Sequence, residues 1–391
     1  MRYSSSLAGL LALNGLVEAS DVITMPIRFL YGEQNKITTP VMVGAGNEAI
    51  GQSIEVVVDY GSANFWVFAP NATVNYGSQY LGFTGACNTT PSIYYHPTNT
   101  TRIANFTGTY AYGGNSKILA ASSAVNETLF FPSTLPSAPI PNIEIALVNH
   151  ASVRQYVPAG TACPALSYDF GIMGLARGGP SDRSGPNVKT NLLHQGRIAR
   201  SQVSMYFQAP PVDAASTYNF TGELLLGGLP PRESYTGDLI STPIVTPQGD
   251  SGYHIPQPRI SHANSTIRSD YPDETCLIDS GSLALTLPYA ANNTVFLATT
   301  GLQTHDGEDN LAYPSPCDEI PRHLTLDLAF NGTRVSIPYW YLARGDQASQ
   351  GGCVLSVGFG SGCVLGAPWF LGAAVGVDDD EGVVWIAQGR L

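Results

Sequence analysis

Val57-Val58-Asp59-Tyr60-Gly61-Ser62 and, in the second half of the chain, Leu277-Ile278-Asp279-Ser280-Gly281-Ser282 are the stretches that decide the fold. Each is an apolar run ending in Asp-x-Gly-Ser, and each has a later partner: Gly171-Ile172-Met173-Gly174 for the first and Cys363-Val364-Leu365-Gly366 for the second. One copy alone reads as an ordinary turn, because Asp, Gly and Ser are common turn residues. Two copies in matched contexts describe two related lobes, each delivering one carboxylate at a strand-to-turn junction. Carboxylates about 3 Å apart cannot both ionise, so they share a proton. The ionised member can take a proton from water while the neutral member donates to a carbonyl oxygen, with no covalent intermediate. Gly61 and Gly281 admit close backbone approach and offer N–H donors, and Ser62 and Ser282 are placed to hold the outer carboxylate oxygens.

The chain has 391 residues, 43% hydrophobic and only 12% charged, with 41 Gly, 28 Pro and 20 Tyr. That mixture favours β-strands and tight turns, and the length allows two cores. A net charge of −12 argues against nucleic acid or an anionic membrane as partner. Only Lys36, Lys117 and Lys189 are lysines. No CxxC or Cys/His cluster suggests zinc, and no metal or cofactor is expected. The acidic run Asp378-Asp379-Asp380-Glu381 lacks EF-hand spacing and reads as a solvated hairpin turn. Gly249-Asp250-Ser251-Gly252 copies a serine-hydrolase nucleophile string, but no histidine motif accompanies it.

Residues 1–19 read as a secretory signal: Arg2, an apolar run from Leu7 to Val17, and a small-residue cleavage site at Val17-Glu18-Ala19. The run is too short to span a bilayer, and no membrane anchor is expected. Nine sequons, at Asn71, Asn88, Asn99, Asn105, Asn126, Asn219, Asn264, Asn292 and Asn331, fit a glycoprotein secreted outside the cell or into a vacuole-like lumen. Six cysteines in such a chain should pair, although spacing alone leaves the connectivity open. If the lobes fold separately, Cys87–Cys163 pairs within the first, and the other four divide best as Cys276–Cys363 and Cys317–Cys353. A Pro/Ala/Ser stretch over Gln208–Ser216 has linker composition, which sets an N-terminal lobe at 20–208 and a C-terminal lobe at 209–391. Lys189 to Gly196 reads as a short helix closed by glycine in an otherwise all-β chain.

Further residues carry a resemblance to the pepsin-like aspartic peptidases over nearly the whole mature chain. They are Asn64-Phe65-Trp66-Val67, Phe170 to Ala176, Gly222 to Leu229 with Tyr235-Thr236-Gly237, Cys363 to Phe370, and the closing hairpin from Val377-Asp378 to Ile386. The resemblance implies a bilobal all-β fold with a substrate cleft between the lobes and Asp59 and Asp279 as the catalytic pair. It also implies a flap hairpin, for which Thr109 to Ser116 is the candidate. The flap tyrosine that meets Trp66 maps to Tyr110 if the strand ending Ile118-Leu119 is aligned without gaps, and to Tyr112 if the hairpin is shorter; the ungapped reading is preferred. The implied activity is that of a secreted, monomeric endopeptidase acting on peptides or unfolded proteins at acidic pH. Val57, Phe65, Tyr110 or Tyr112, and Leu285 suggest apolar pockets beside the scissile bond.

The chain departs from that family at three places. Tyr60 stands where the family carries Thr or Ser, whose hydroxyl reaches the opposite lobe's backbone. Ser280 can make that bond and Tyr60 cannot, and its ring must be housed between the lobes at some risk of overpacking. Ala367 replaces a frequent Asp, and the short interval before Asp59 leaves little room for an inhibitory segment. Tyr60 supports an alternative: a catalytically weak or inactive pepsin-fold protein that binds peptides or a protein partner.

Overall fold

The computed structural model describes residues 22–390 except 31–34, 45–50, 77–84, 89–94, 98–100, 104, 114–115, 131–138, 154–169, 178–186, 210–219, 246, 248–249, 251, 263–264, 292, 306–309 and 350–351. The signal segment, linker positions 210–216, the Cys87–Cys163 pairing, and the side chains of Asn71, Asn88, Asn99, Asn219, Asn264 and Asn292 lie outside the described residues. Of the remaining sequon asparagines, Asn105 and Asn331 are exposed and Asn126 is half-buried.

The architecture is all-β, as the resemblance implied. One sheet of 15 strands begins at Tyr235–Pro243 and the closing hairpin of Ala373–Asp378 and Val383–Gly389. It continues through Gln202–Phe207, Phe220–Leu226 and Ile23–Leu30 into the strands around Gln52–Asp59. Strands from the start, middle and end of the sequence thus lie side by side. A second sheet of eight strands surrounds Thr275–Asp279 and Cys363–Gly366, and a third of four strands includes Thr325–Phe330 and Thr333–Pro338.

Alternation explains how the Asp59 strand is held. Along Gln52–Asp59, Ile54, Val56 and Val58 enter the main core, while Val57 faces a second cluster with Trp66, Phe68, Tyr110 and Leu119. Each such buried aliphatic side chain contributes about 1.5–3 kcal/mol of transfer free energy. The strand therefore cannot slip by one residue without exposing three core side chains. Thr275–Asp279 repeats the arrangement, with Cys276 and Ile278 buried. Cys276 pairs across the parallel ladder with Cys363 in a disulfide, which fixes the strand entering Asp279 to the strand entering Gly366. Cys317–Cys353 is the other described disulfide, and both match the pairing expected from the sequence.

Helix Val188–His194 occupies the expected position. Asn187 caps it by accepting from the Thr190 N–H at 2.8 Å, and its amide donates to Ala63 O at 2.8 Å and Ala176 O at 3.3 Å. The cap thereby joins the turn after Asp59 to the bend that follows strand Gly171–Gly174.

The acidic run forms the expected hairpin turn with Asp380 and Glu381 exposed, but Asp378 and Asp379 are drawn inward. Asp378 is fully buried and accepts from Gln202 Nε2 at 2.6 Å and Arg200 Nη2 at 3.1 Å. Asp379 pairs with Lys189, Arg177 Nε (2.9 Å) and Ser201 Oγ (2.9 Å). These partners lie between positions 177 and 202, so the turn clasps the closing hairpin to a segment nearly two hundred positions earlier. Burial alone would raise the Asp379 pKa, but Lys189, Arg177 and Ser201 outweigh it and hold the carboxyl below its ordinary range. A depressed carboxyl contributes stability that is present above the unfolded pKa and lost as pH falls through the folded value. The wild type should therefore keep this clasp through moderately acidic pH. Asp379→Asn should show a lower urea midpoint at pH 6 and 4, with the difference shrinking toward pH 2. A difference that stays constant over that range would contradict this assignment.

Candidate active site

Asp59 and Asp279 end their strands on either side of one cleft of about 780 Å³. Their surroundings mirror each other. Gly61 N–H donates to Asp59 Oδ1 at 2.8 Å and Ser62 Oγ to Oδ2 at 2.6 Å. Gly281 N–H donates to Asp279 Oδ1 at 2.9 Å and Ser282 Oγ to Oδ2 at 2.7 Å. A Cβ on Gly61 would collide with the Asp279 carboxylate, and one on Gly281 with the Asp59 carboxylate. Each glycine is required by the aspartate of the other lobe.

Register extends the symmetry. Asp59 lies beside Gly174 and Val57 beside Ile172; Asp279 lies beside Gly366 and Leu277 beside Val364. Val57, Ile172, Leu277 and Val364 all line the cleft. Phe65 and Leu285, expected in apolar pockets, are instead fully buried in the core, because their strand alternation turns them away from the cleft.

Burial and the neighbouring Asp279 raise the Asp59 pKa, while bonds from Ser62 and Gly61 oppose the rise. Asp59 therefore keeps its proton to higher pH than an ordinary carboxyl. Paired carboxyls of this kind can both accept and donate a proton.

The flap hairpin is formed by Gly108–Tyr112 and Lys117–Phe130. Trp66 Nε1 donates to the hydroxyl of Tyr112 at 2.8 Å. The preference for Tyr110 is thus corrected. Ser116 N–H bonds Gly113 O at 3.1 Å, closing the turn so that Tyr112 pairs with Lys117. That shorter hairpin carries Tyr112 to the indole and leaves Tyr110 buried opposite Leu119. Tyr112 and Ser62 both line the cleft beside Asp59.

Beneath the aspartates, Ser280 behaves as expected. Its hydroxyl donates to Val58 O at 2.7 Å and accepts from Tyr60 N–H at 2.9 Å, crossing between lobes. The Tyr60 ring turns elsewhere: it is fully buried, stacks on Phe370 at 5.7 Å and meets Tyr253 edge-on at 6.1 Å. Its hydroxyl donates to Val203 O at 3.0 Å. One half of the floor is a polar cross-lobe bond and the other an aromatic joint. The overpacking expected of Tyr60 is relieved because its neighbours form a slot for the ring.

Two residues that sequence reasoning passed over also reach across. Asn35 Nδ2 donates to Ser356 Oγ at 2.7 Å, and Lys36 Nζ donates to Gly281 O. Neither belongs to a local motif; the positive φ of 38° at Asn35 is a structural rather than a sequence signal. Of the serine-hydrolase string, Gly249 and Ser251 lie outside the described residues, while Asp250 Oδ2 is 2.9 Å from His254 Nε2. Among the described residues, no group of three or more side chains forms a metal-ligand cluster, and no helix is long and apolar enough to cross a membrane.

Comparison with known proteins agrees with this geometry. Residues 38–384 match the family model described as eukaryotic aspartyl protease. Secreted aspartic protease 3 of Candida albicans is 23% identical over 93% of this chain and 82% of its own length. Candidapepsin-2 of Candida parapsilosis is 24% identical over 79% of this chain and 64% of its own. Pepsin B of Canis lupus familiaris is 24% identical over 44% of this chain and 41% of its own. With the family match spanning most of the chain, this protein belongs to the eukaryotic aspartyl protease family.

Proposed function

We propose that the chain is a secreted acid endopeptidase that hydrolyses peptides or unfolded proteins on the Asp59/Asp279 pair. The observation carrying this reading is the mirrored set of hydrogen bonds at the two carboxylates, with each glycine packed against the opposite one. The ionised carboxylate removes a proton from the attacking water as its oxygen bonds to the carbonyl carbon. The protonated partner donates to the carbonyl oxygen, and collapse of the tetrahedral species breaks the C–N bond after the leaving nitrogen gains a proton. Gly61, Ser62, Gly281 and Ser282 hold the carboxylates, Ser280 joins the lobes beneath them, and Tyr112 with Trp66 positions the flap. Secretion is supported by the signal-like N-terminus and by relatives whose names describe secreted proteases.

Tyr60 favours a second reading, a pepsin-fold protein that binds peptide with little turnover, because half of the cross-lobe polar floor is missing. Incubation of the purified protein with an unfolded protein substrate separates the two. Cleavage is expected in acid, with an alkaline limb above the ordinary carboxylate range of about 4 because the Asp59 pKa is raised. Absence of cleavage anywhere between pH 2 and 7 would leave only the binding reading.

A further inference from the structure

Lys36 stands out among the groups that the proposed chemistry leaves unused. The chain carries a formal net charge of −12 and only three lysines, yet Lys36 and Lys117 both line the cleft. Lys117 is covered, with its ammonium 4.9 Å from the Trp66 ring centroid. Lys36 is half-buried at the start of strand Lys36–Val43 and anchored on the Gly281 carbonyl, next to the dyad. Its backbone is fixed on both sides: buried Asn35 is tied to Ser356, and Ile37 is buried and paired with Phe29. The ammonium is therefore preorganised and cannot swing away as a surface lysine would.

An ammonium has three donors. One serves Gly281 O, and among the described residues no carboxylate lies within ion-pair distance of it. The other charged groups of the cleft are Asp59, Asp279, Lys117 and Asp250, the last paired with His254. With Asp250 engaged by His254, the two lysines face a dyad that carries a single negative charge when it holds one proton. Burial lowers the Lys36 pKa, and the charges of Asp59 and Asp279 oppose the change.

Resting on the peptidase reading above, we propose that Lys36 is a specificity-determining residue. It receives an Asp or Glu side chain of the substrate segment lying along Gly281, making the cleft selective for acidic peptides. A partly desolvated ammonium beside the scissile bond rewards a carboxylate and rejects a substrate lysine by like-charge repulsion.

The test uses a peptide series in which each position flanking one scissile bond is Glu, Gln or Lys. At pH 5.5 the wild type should cleave the Glu peptide at least about 10-fold better than the Gln peptide, in kcat/KM, at one position. That ratio should fall toward one at pH 3, as Glu becomes protonated. Lys36→Met should abolish the ratio while still cleaving the Gln peptides, Lys36→Arg should keep it, and Lys117→Met should leave it in place. If the wild type cleaves Gln peptides with no preference for Glu at any position, or if the preference survives Lys36→Met, the Lys36 assignment is wrong and the peptidase reading stands. Binding of the same peptides by fluorescence anisotropy reads selectivity without turnover. Binding without cleavage would overturn the peptidase reading, and the Glu-to-Gln ratio of dissociation constants would still decide on Lys36.

Discussion

Asn in place of Asp59 or Asp279 is expected to lower kcat by about 10²–10⁴-fold with little change in folding. Each carboxylate accepts one backbone N–H from glycine and one hydroxyl from serine. An Asn oxygen can keep the glycine bond, and the serine hydroxyl can reverse its role to accept from the amide. The cradle survives while the shared proton disappears, so the loss appears in kcat with thermal unfolding nearly unchanged. A titration adds an independent check. Burial is the leading cause of the raised Asp59 pKa, followed by the charge of Asp279. In Asp279→Asn the Asp59 carboxyl, followed by carbon NMR, should titrate lower than in the wild type and still above an unburied Asp. Turnover within about twofold of wild type in either variant would remove the dyad from the mechanism.

The parts of this fold that were legible in sequence are those encoded locally. Strands into Asp59 and Asp279 alternate over short windows, and the turns that follow carry Gly and Ser at fixed offsets, so carboxylate, backbone donor and hydroxyl could be named from spacing. The same holds for the paired Cys276 and Cys363, which sit at equivalent points of adjacent parallel strands. The choice between Tyr110 and Tyr112 was different, because it depends on the length of the turn from Gly113 to Ser116. One added or removed residue pair moves the ring past the indole without changing the apolar pattern. Distant partners were less legible still. Asp378 and Asp379 are engaged by Arg177, Lys189, Arg200 and Gln202, nearly two hundred positions earlier, and nothing near Asp378 announces them. Lys36 reads as an ordinary charge between strands until Gly281 is folded against it.

Tyr60 shows how much that distance matters. A threonine at this position looks like a repair, because it would offer the missing cross-lobe hydroxyl, yet the structure reverses the expected sign. Tyr60→Thr should destabilise the protein by about 3–5 kcal/mol, as other deletions of buried aromatic rings do. The ring fills a closed slot between Phe370 and Tyr253, and its hydroxyl satisfies Val203 O at 3.0 Å. Against that loss, a new threonine hydroxyl bond would return only about 0.5–1.5 kcal/mol. The backbone N–H at position 60 already bonds Ser280 Oγ, so threonine gains nothing there. Tyr60→Phe separates the contributions: it keeps the stacking, loses only the bond to Val203, and should cost about 1 kcal/mol. Urea unfolding of the three proteins, with kcat/KM measured on each folded form, checks the order wild type, Phe, Thr in stability and no gain of activity for Thr. If Tyr60→Thr unfolds at the wild-type urea concentration and cleaves severalfold faster, the ring is an obstruction that the rest of the floor tolerates. If the predicted order holds, Tyr60 is a structural joint between the lobes, and the polar half of the floor at Ser280 is sufficient to align the pair.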